Sequence, residues 1–271
     1  MCEVLKVSRS SYYKHLNKKE SKRSIENRFL EKEILNIYKA SKCRYGAPKI
    51  YEKLKGKNIF ISLKRTQRLM NKLGIKSVVC KKFRPFSSRN KIESRENIIN
   101  RDFSTTAINQ KWVTDITYIH TIKDGWCYLA SVMDLNSRKI VGYSMSKNID
   151  TTLAIKALDN AYKIQKPGEG LILHSDLGSQ YTSYEFGEYV KDHKIAHSFS
   201  GKGNPYDNAC IESFHSVLKK EEVNLVKYFD FDAARLAIFE YIESWYNRER
   251  IHSSLGYITP QEWEDKSKRV A

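Results

Sequence analysis

Residues 171–219 read LILHSDLGSQYTSYEFGEYVKDHKIAHSFSGKGNPYDNACIESFHSVLK, and the fold turns on how this stretch is laid out. Leu171-Ile172-Leu173 is an apolar run that predicts a short strand. It passes straight into His174-Ser175-Asp176-Leu177-Gly178, which puts the Asp176 carboxylate at a strand's carboxyl end, where open α/β sheets bind ligands. A second strand is expected at Ile195–Phe199, then the turn Gly201-Lys202-Gly203, with Asn204 as N-cap and Pro205 as first residue of a helix. In that helix Cys210, Ile211, Phe214, Val217 and Leu218 form one apolar arc, which leaves Asn208, Glu212, His215 and Lys219 on the opposite side.

One acid at a strand end or on a helix is ordinarily a turn residue or a solvated position. A third acid changes the weighing. Trp112-Val113-Thr114-Asp115-Ile116-Thr117-Tyr118-Ile119 is rich in β-branched and aromatic residues and alternates about Asp115. An Asp in mid-strand costs stability unless something compensates its charge, and a divalent cation is one such partner.

Three motifs, Thr114-Asp115-Ile116-Thr117-Tyr118, His174 to Tyr181, and Gly203 to His215, stand in a fixed order. Together they resemble the bacterial insertion-sequence transposases whose catalytic core is of the retroviral integrase type, second reading frame products with an Asp-Asp-Glu centre. The 35 residues between Asp176 and Glu212 match that group's spacing, and Lys219 matches its basic residue seven past the glutamate. Trp245-Tyr246-Asn247 with Arg250, His252, Leu255, Gly256 and Pro260 extends the resemblance over roughly residues 100–265. It implies a ribonuclease-H-like fold in which the first and fourth strands are neighbours, bringing Asp115 beside Asp176. It also implies that Asp115, Asp176 and Glu212 are both catalytic and metal-binding, with Asp115 bridging two ions, Asp176 on one and Glu212 on the other. The implied partners are double-stranded DNA at element ends and target, further copies of the chain on that DNA, and an upstream reading frame as partner or fusion.

Three carboxylates with no Cys-x-x-Cys and no paired histidines make a hard, oxygen-only donor set, which suits two Mg²⁺ or Mn²⁺ ions rather than zinc. Such a pair serves in-line displacement at phosphorus, first by water and then by a freed 3′-hydroxyl. Lys219 is either a contact to a DNA phosphate or an idle helix lysine, and the first is favoured. His174, Asn204, Tyr206, Asn208 and His215 are candidates to line the site, with His174 and His215 equally readable as ordinary polar residues. Asp134, Asp207 and Glu221 read as structural or surface acids.

The 271 residues carry a net charge of +17, and its distribution says more than its size. Residues 1–110 hold 28 Lys and Arg against 9 Asp and Glu, while residues 111–271 hold 20 against 22. An even solubility surface would not be confined to the front, so DNA backbone contact is assigned there and chemistry to the rear. Five scattered cysteines and no membrane-length apolar run point to a soluble protein of the reducing cytoplasm, associated with the nucleoid.

Within the front, residues 1–75 read as a helical, helix-turn-helix-like DNA-binding region. It opens with a short helix at Cys2–Lys6 and another from Ser8, which resemble the end of a helix-turn-helix or begin an ordinary amphipathic helix. Ser24–Ala40 predicts a helix with Ile25, Phe29, Ile34 and Ile37 on one face. Arg44-Tyr45-Gly46-Ala47-Pro48 then starts a helix with Ile50, Tyr51 and Leu54. Ser62 caps a last helix that holds Leu69 and Leu73 inward, turns Lys64, Arg65, Arg68 and Lys72 outward as DNA contacts, and ends at Gly74. Residues 76–109 read as a basic linker in which Lys81, Lys82 and Arg84 interleave with aromatics, a pattern for tracking a DNA strand or for plain solvation.

Residues 110–265 are expected to hold the core and its C-terminal tail. Strands at 111–121 and 126–134 are joined across Asp124-Gly125, followed by a strand at 139–146, a helix from Asp150 or Thr151, and the alternating elements from 171 onward. A closing helix at Asp232–Arg248 would bury Leu236, Ile238, Ile242 and Trp245. The succession predicts an α/β fold, a mixed five-stranded sheet with flanking helices behind an α-helical region. The rival functions are a ribonuclease-H-like or junction nuclease on the same fold, and a non-catalytic DNA-binding regulator.

Overall fold

The computed structural model describes residues 2, 4, 6–17, 20–78, 96–100, 102–201 and 208–270, and these fall into two compact units, 1–78 and 79–271. In the first unit, helix α1 spans Arg9–Leu16, α2 Lys22–Ala40, α3 Ala47–Gly56 and α4 Leu63–Lys72. The starts are set by local chemistry. The Ser21 and Ser62 hydroxyls accept the backbone N–H groups of Ser24 and Arg65, and Pro48 sits in the first turn of α3. Gly74, at φ +66°, takes the left-handed turn that ends α4.

Two expectations for this unit are corrected. Cys2, Val4 and Lys6 lie in turns rather than a helix, closed by the Val7 N–H donating to the Cys2 carbonyl at 3.0 Å. On α2 the buried stripe is Leu30, Ile34 and Ile37, whereas Ile25 and Phe29 are exposed. Helices α3 and α4 pack on α2 where Leu30, Ile34 and Ile37 face them, so the first two turns of α2 keep their apolar residues in water.

The second unit is built on strands β1 (Lys111–Thr121), β2 (Gly125–Asp134), β3 (Ile140–Ser146), β4 (Ile172–Ser175) and β5 (Ala196–Phe199). Among the described residues the sheet order is β3-β2-β1-β4-β5, antiparallel through the first three and parallel through β1, β4 and β5. The mixed sheet has helices on both faces, as expected. Gly125, at φ +71°, closes the β1–β2 hairpin, since the turn needs a left-handed residue there.

One face carries α5 (Thr151–Gln165), α6 (Ser179–Thr182) and α7 (Tyr184–Asp192), whose Leu153, Ala157, Leu158, Phe186 and Val190 cover Trp112, Ala130, Val132, Val141 and Leu173. Helix α5 lies very close to β3. A Cβ added to Gly142 would come within 2.5 Å of the Ala157 carbonyl and of Ala161. Gly142→Ala is therefore expected to cost about 2–3 kcal/mol through overpacking, read as a lower urea midpoint at unchanged slope.

The other face carries α8 (Ala209–Leu218) and α9 (Phe231–Glu240), each running on into a π-helical turn, Lys219–Val223 and Tyr241–Tyr246 respectively. Ile238, Ile242 and Trp245 are buried as expected, but Leu236 points into solvent. After α9 the chain returns to β3. Asn247 donates to and accepts from the backbone of Ile140 at 3.0 Å in both directions, filling an open strand edge, and α10 (Pro260–Val270) reaches the turn before β3 through Trp263–Asn136 and Lys139–Glu264.

Residues 96–100 belong to this unit rather than to a free linker. Ile99 is buried, the Ile99 N–H donates to Ser198, and Glu96 accepts the Phe199 N–H, so the segment runs along β5. No helix among the described residues is long and apolar enough to cross a membrane.

Candidate active site

The parallel pairing of β1 with β4 runs through Lys111–Ile172, Trp112–Leu173 and Val113–His174 and then stops. Just past that point β1 continues with Asp115, and β4 ends and releases Asp176. The third acid comes from the first turn of α8, which packs across β1. Sheet register and helix packing thus bring Asp115, Asp176 and Glu212 to the same end of the sheet from distant positions in the chain.

Their charges act on one another. Asp176 is held above the ordinary carboxylate range, first by desolvation on its protein side and then by the charge of Asp115. Glu212 is held up by desolvation and by Asp115, is partly relieved by His215, and is raised again by Asp176. Each pair of the three is therefore close enough to repel. Gly178 donates its N–H to Asp176 Oδ1 at 2.9 Å, and the Ile116 N–H donates to Asp115 Oδ1 at 2.8 Å.

The surroundings correct part of the sequence reading. His215 and Asn208, on the Glu212 side of the α8 sequence, are buried. His215 Nδ1 lies 3.3 Å from Asp115 Oδ2 and its Nε2 is 3.4 Å from Ser131 Oγ, so the imidazole spans two strands beneath the acids. Asn208 holds the N-cap position of α8 without a side-chain cap bond and donates to the Thr114 carbonyl at 3.4 Å. Residues 202–207, with Asn204, Pro205, Tyr206 and Asp207, lie outside the described residues. His174 is fully buried and holds Ser198 and Ser200 through its two ring nitrogens at 2.9 and 3.1 Å, tying β4 to β5 as a structural residue. Asp134 is structural too. Its buried carboxylate accepts from Asn109 and from the N–H and hydroxyl of Ser137.

Lys219, one residue past α8, places its Nζ 4.0 Å from the centre of the Tyr118 ring. Desolvation pulls its ammonium below the ordinary lysine value, and the charge of Asp115 opposes that. In the first unit Lys64 and Arg68 are exposed as expected. Arg65 is part-buried, its guanidinium engaged by Asn27 at 2.7 and 3.1 Å and by Glu26 at 2.9 Å, which clamps α4 to α2. Lys72 is paired with Glu31 at 2.6 Å. Lys81, Lys82 and Arg84 lie outside the described residues.

Of the two readings left open for Glu221, a structural or a surface acid, the structure takes the first. Glu221 is buried in the π-helical turn after Leu218, where Arg250 Nε and Nη2, the Tyr241 hydroxyl and the Trp245 indole N–H all donate to its carboxylate at 3.0–3.1 Å. The available signal was Arg250 itself, a cation set between Trp245-Tyr246 and Ile251 that needed an acid within the core.

Among the described residues no three His, Cys, Asp or Glu side chains are drawn together as a ready cation cage. The donor set nonetheless suits a hard divalent ion. The three carboxylates are oxygen-only, and Asp176 and Glu212 are raised first by desolvation and then by the charge of Asp115, a strain on the ionised forms that a bound cation would relieve.

The chain is similar to known proteins. Residues 105–205 and 193–260 match the integrase core domain, and residues 24–83 match an HTH-like domain. The transposase InsF of insertion sequence IS3A from Escherichia coli K12 is 36% identical over 98% of this chain and 93% of its own length. The transposase of insertion sequence element IS904 from Lactococcus lactis is 38% identical over 92% of this chain and 98% of its own. Among solved structures, the HTLV-2 integrase catalytic core domain in complex with magnesium aligns over 58% of this chain and 97% of its own, with 18% identity and a TM-score of 0.45.

Proposed function

Because the chain belongs to the integrase-core transposases of bacterial insertion sequences, we propose that Asp115, Asp176 and Glu212 are its catalytic centre. With them it nicks the ends of its element and joins those ends to new DNA. The observation that carries this reading is the convergence at one end of the sheet of three acids delivered by β1, the end of β4 and the first turn of α8. Folding does not gather like charges at one sheet end without a use for them, since each costs stability in the absence of a counter-charge.

Asp115, Asp176 and Glu212 would hold Mg²⁺ or Mn²⁺, two ions in the full site. When bound, such ions supply Lewis-acid stabilisation of the attacking and leaving oxygens at phosphorus. The protein's part is placement. Asp115 is fixed on a central strand and steadied by His215, Gly178 sets the direction of the Asp176 carboxylate, and Glu212 comes from a helix anchored by Ile211, Phe214 and Leu218. Lys219 offers a cation for a neighbouring phosphate. One centre then serves two displacements. Water attacks the phosphodiester at the element's end and a 3′-hydroxyl leaves; that hydroxyl attacks a second phosphodiester, and the 3′-oxygen of the broken strand leaves in turn. Double-stranded DNA is the partner of the basic first unit, and copies of the chain assemble on it.

The test is incubation of the chain with labelled element-end DNA, target DNA and Mn²⁺. Joined products are the expected result. Hydrolysis without joining would make it a nuclease, and binding without any cleavage a regulator.

Gly178 gives a finer check on placement. Its φ of −61° suits any residue, but a Cβ there would lie 2.9 Å from Asp176 Oδ1. Gly178→Ala is expected to fold normally, to push that carboxylate aside, and to lower the cleavage rate by about 10²-fold.

A further inference from the structure

Beyond the end of α5, the sheet face that α5 covers is left with three aromatic rings in water. Tyr118 and His120 project from β1, and Trp126 from β2 directly opposite His120. The Trp126 ring makes edge contacts with both, at centroid distances of 5.2 Å to Tyr118 and 4.9 Å to His120. Trp126 is 54% exposed and Tyr118 37% exposed. Leaving large rings in solvent forfeits their burial energy, so the cluster calls for an occupant.

Lys219 identifies the occupant. Its Nζ stands 4.0 Å from the Tyr118 ring centre, and Tyr118 lies three residues past Asp115 on β1, so the ammonium stands beside the rings on the strand that also carries an acid. A cation beside flat aromatic faces is the pairing that takes a nucleotide, with phosphate on the ammonium and base on the rings. A second copy of the chain is a poorer fit. Three rings of about 150–250 Å² each, roughly half exposed, offer on the order of 300 Å², well short of the ~800 Å² per partner of a stable interface.

We propose that Tyr118, His120 and Trp126 form a stacking platform that receives an unpaired base of the DNA end, with Lys219 holding the phosphate between that base and the cut site. This rests on the DNA-joining reading and adds a subsite to it. The platform favours frayed or overhanging ends, because a base still paired in a duplex cannot lay its face on Trp126.

The experiment is a binding measurement in EDTA, with no cleavage possible, using the full chain and two probes. One is a blunt duplex, and the other is the same duplex with a short single-stranded extension containing 2-aminopurine. The wild-type chain should prefer the extended probe and change its fluorescence on binding. Trp126→Ala should abolish that change and reduce the preference for the extended over the blunt probe roughly tenfold. Trp126→Tyr should restore most of it, and His120→Ala should lower the same ratio by a smaller factor even if the Trp126 variant folds poorly. A preference unaltered in both alanine variants would overturn the platform. So would a fall in sedimentation coefficient of well-folded Trp126→Ala without DNA, which would mark the rings as a contact between copies. Cleavage lost in the acid variants is a separate readout, so the platform can fail while the catalytic reading stands, and the reverse.

Discussion

Asp176→Asn should remove nicking and joining while leaving DNA affinity unchanged. Asp115→Asn and Glu212→Gln should do the same. Changes in the shell around metal ligands typically cost about 10–100-fold, so loss of a ligating oxygen should exceed that and reach the order of 10³-fold or more. A second measurement separates this from simple damage. Asp176 and Glu212 have native-state pKa values above their ordinary ones, so the folded chain binds their protons more tightly than the unfolded chain does. The resulting penalty is present above the folded-state values and lifts as the pH falls through them. Neutral replacements relieve it at any pH. In EDTA near pH 7 the melting temperature of Asp176→Asn should therefore equal or exceed that of the wild type, while its activity with Mn²⁺ is gone. A variant that melts well below the wild type, or one that still cleaves, would count against these acids as the catalytic centre.

Glu221→Ala should unfold the second unit far more readily. The side chains of Glu221 and Arg250 are each 11% exposed, and the carboxylate also takes the Tyr241 and Trp245 donors. Truncating the acid strands a buried guanidinium and two donors, which costs about 3–5 kcal/mol and lowers the melting temperature by roughly 10 °C. The double replacement Glu221→Leu with Arg250→Met should recover most of that loss, because it removes both charges and leaves apolar volume in their place. Equal melting of the wild type and Glu221→Ala would refute the arrangement. Activity should fall along with stability. Glu221 lies two residues beyond Lys219 in the same π-helical turn, and its bonds to Tyr241 and Trp245, in the π-helical turn after α9, and to Arg250 fix it against the C-terminal tail.

This network also accounts for a motif that the sequence displayed without explaining. Trp245 and Arg250 are there for Glu221, Asn247 completes the edge of β3, and Tyr246 packs edge-on against Phe214 of α8 at 4.7 Å. The tail is thus a brace for the helix that presents Glu212.

The sequence by itself determined the order of strands and helices in the second unit, the hairpin at Asp124-Gly125, the Ser62 cap, and the placement of Asp115 in mid-strand with Asp176 at a strand end. These are local matters, since alternation, capping and turn chemistry act over a few residues. The adjacency of β1 and β4 was implied by the resemblance and is borne out, but tertiary structure alone decided that His215 turns to Asp115, that Arg65 is engaged by α2, and that Glu221 takes Arg250 as its inner partner. It also decided that Ile25, Phe29 and Leu236 stay in water. An apolar or charged side chain carries its chemistry wherever the chain goes, but whether it is buried or paired depends on which distant element arrives opposite it, and periodicity along one helix or strand holds no record of that neighbour.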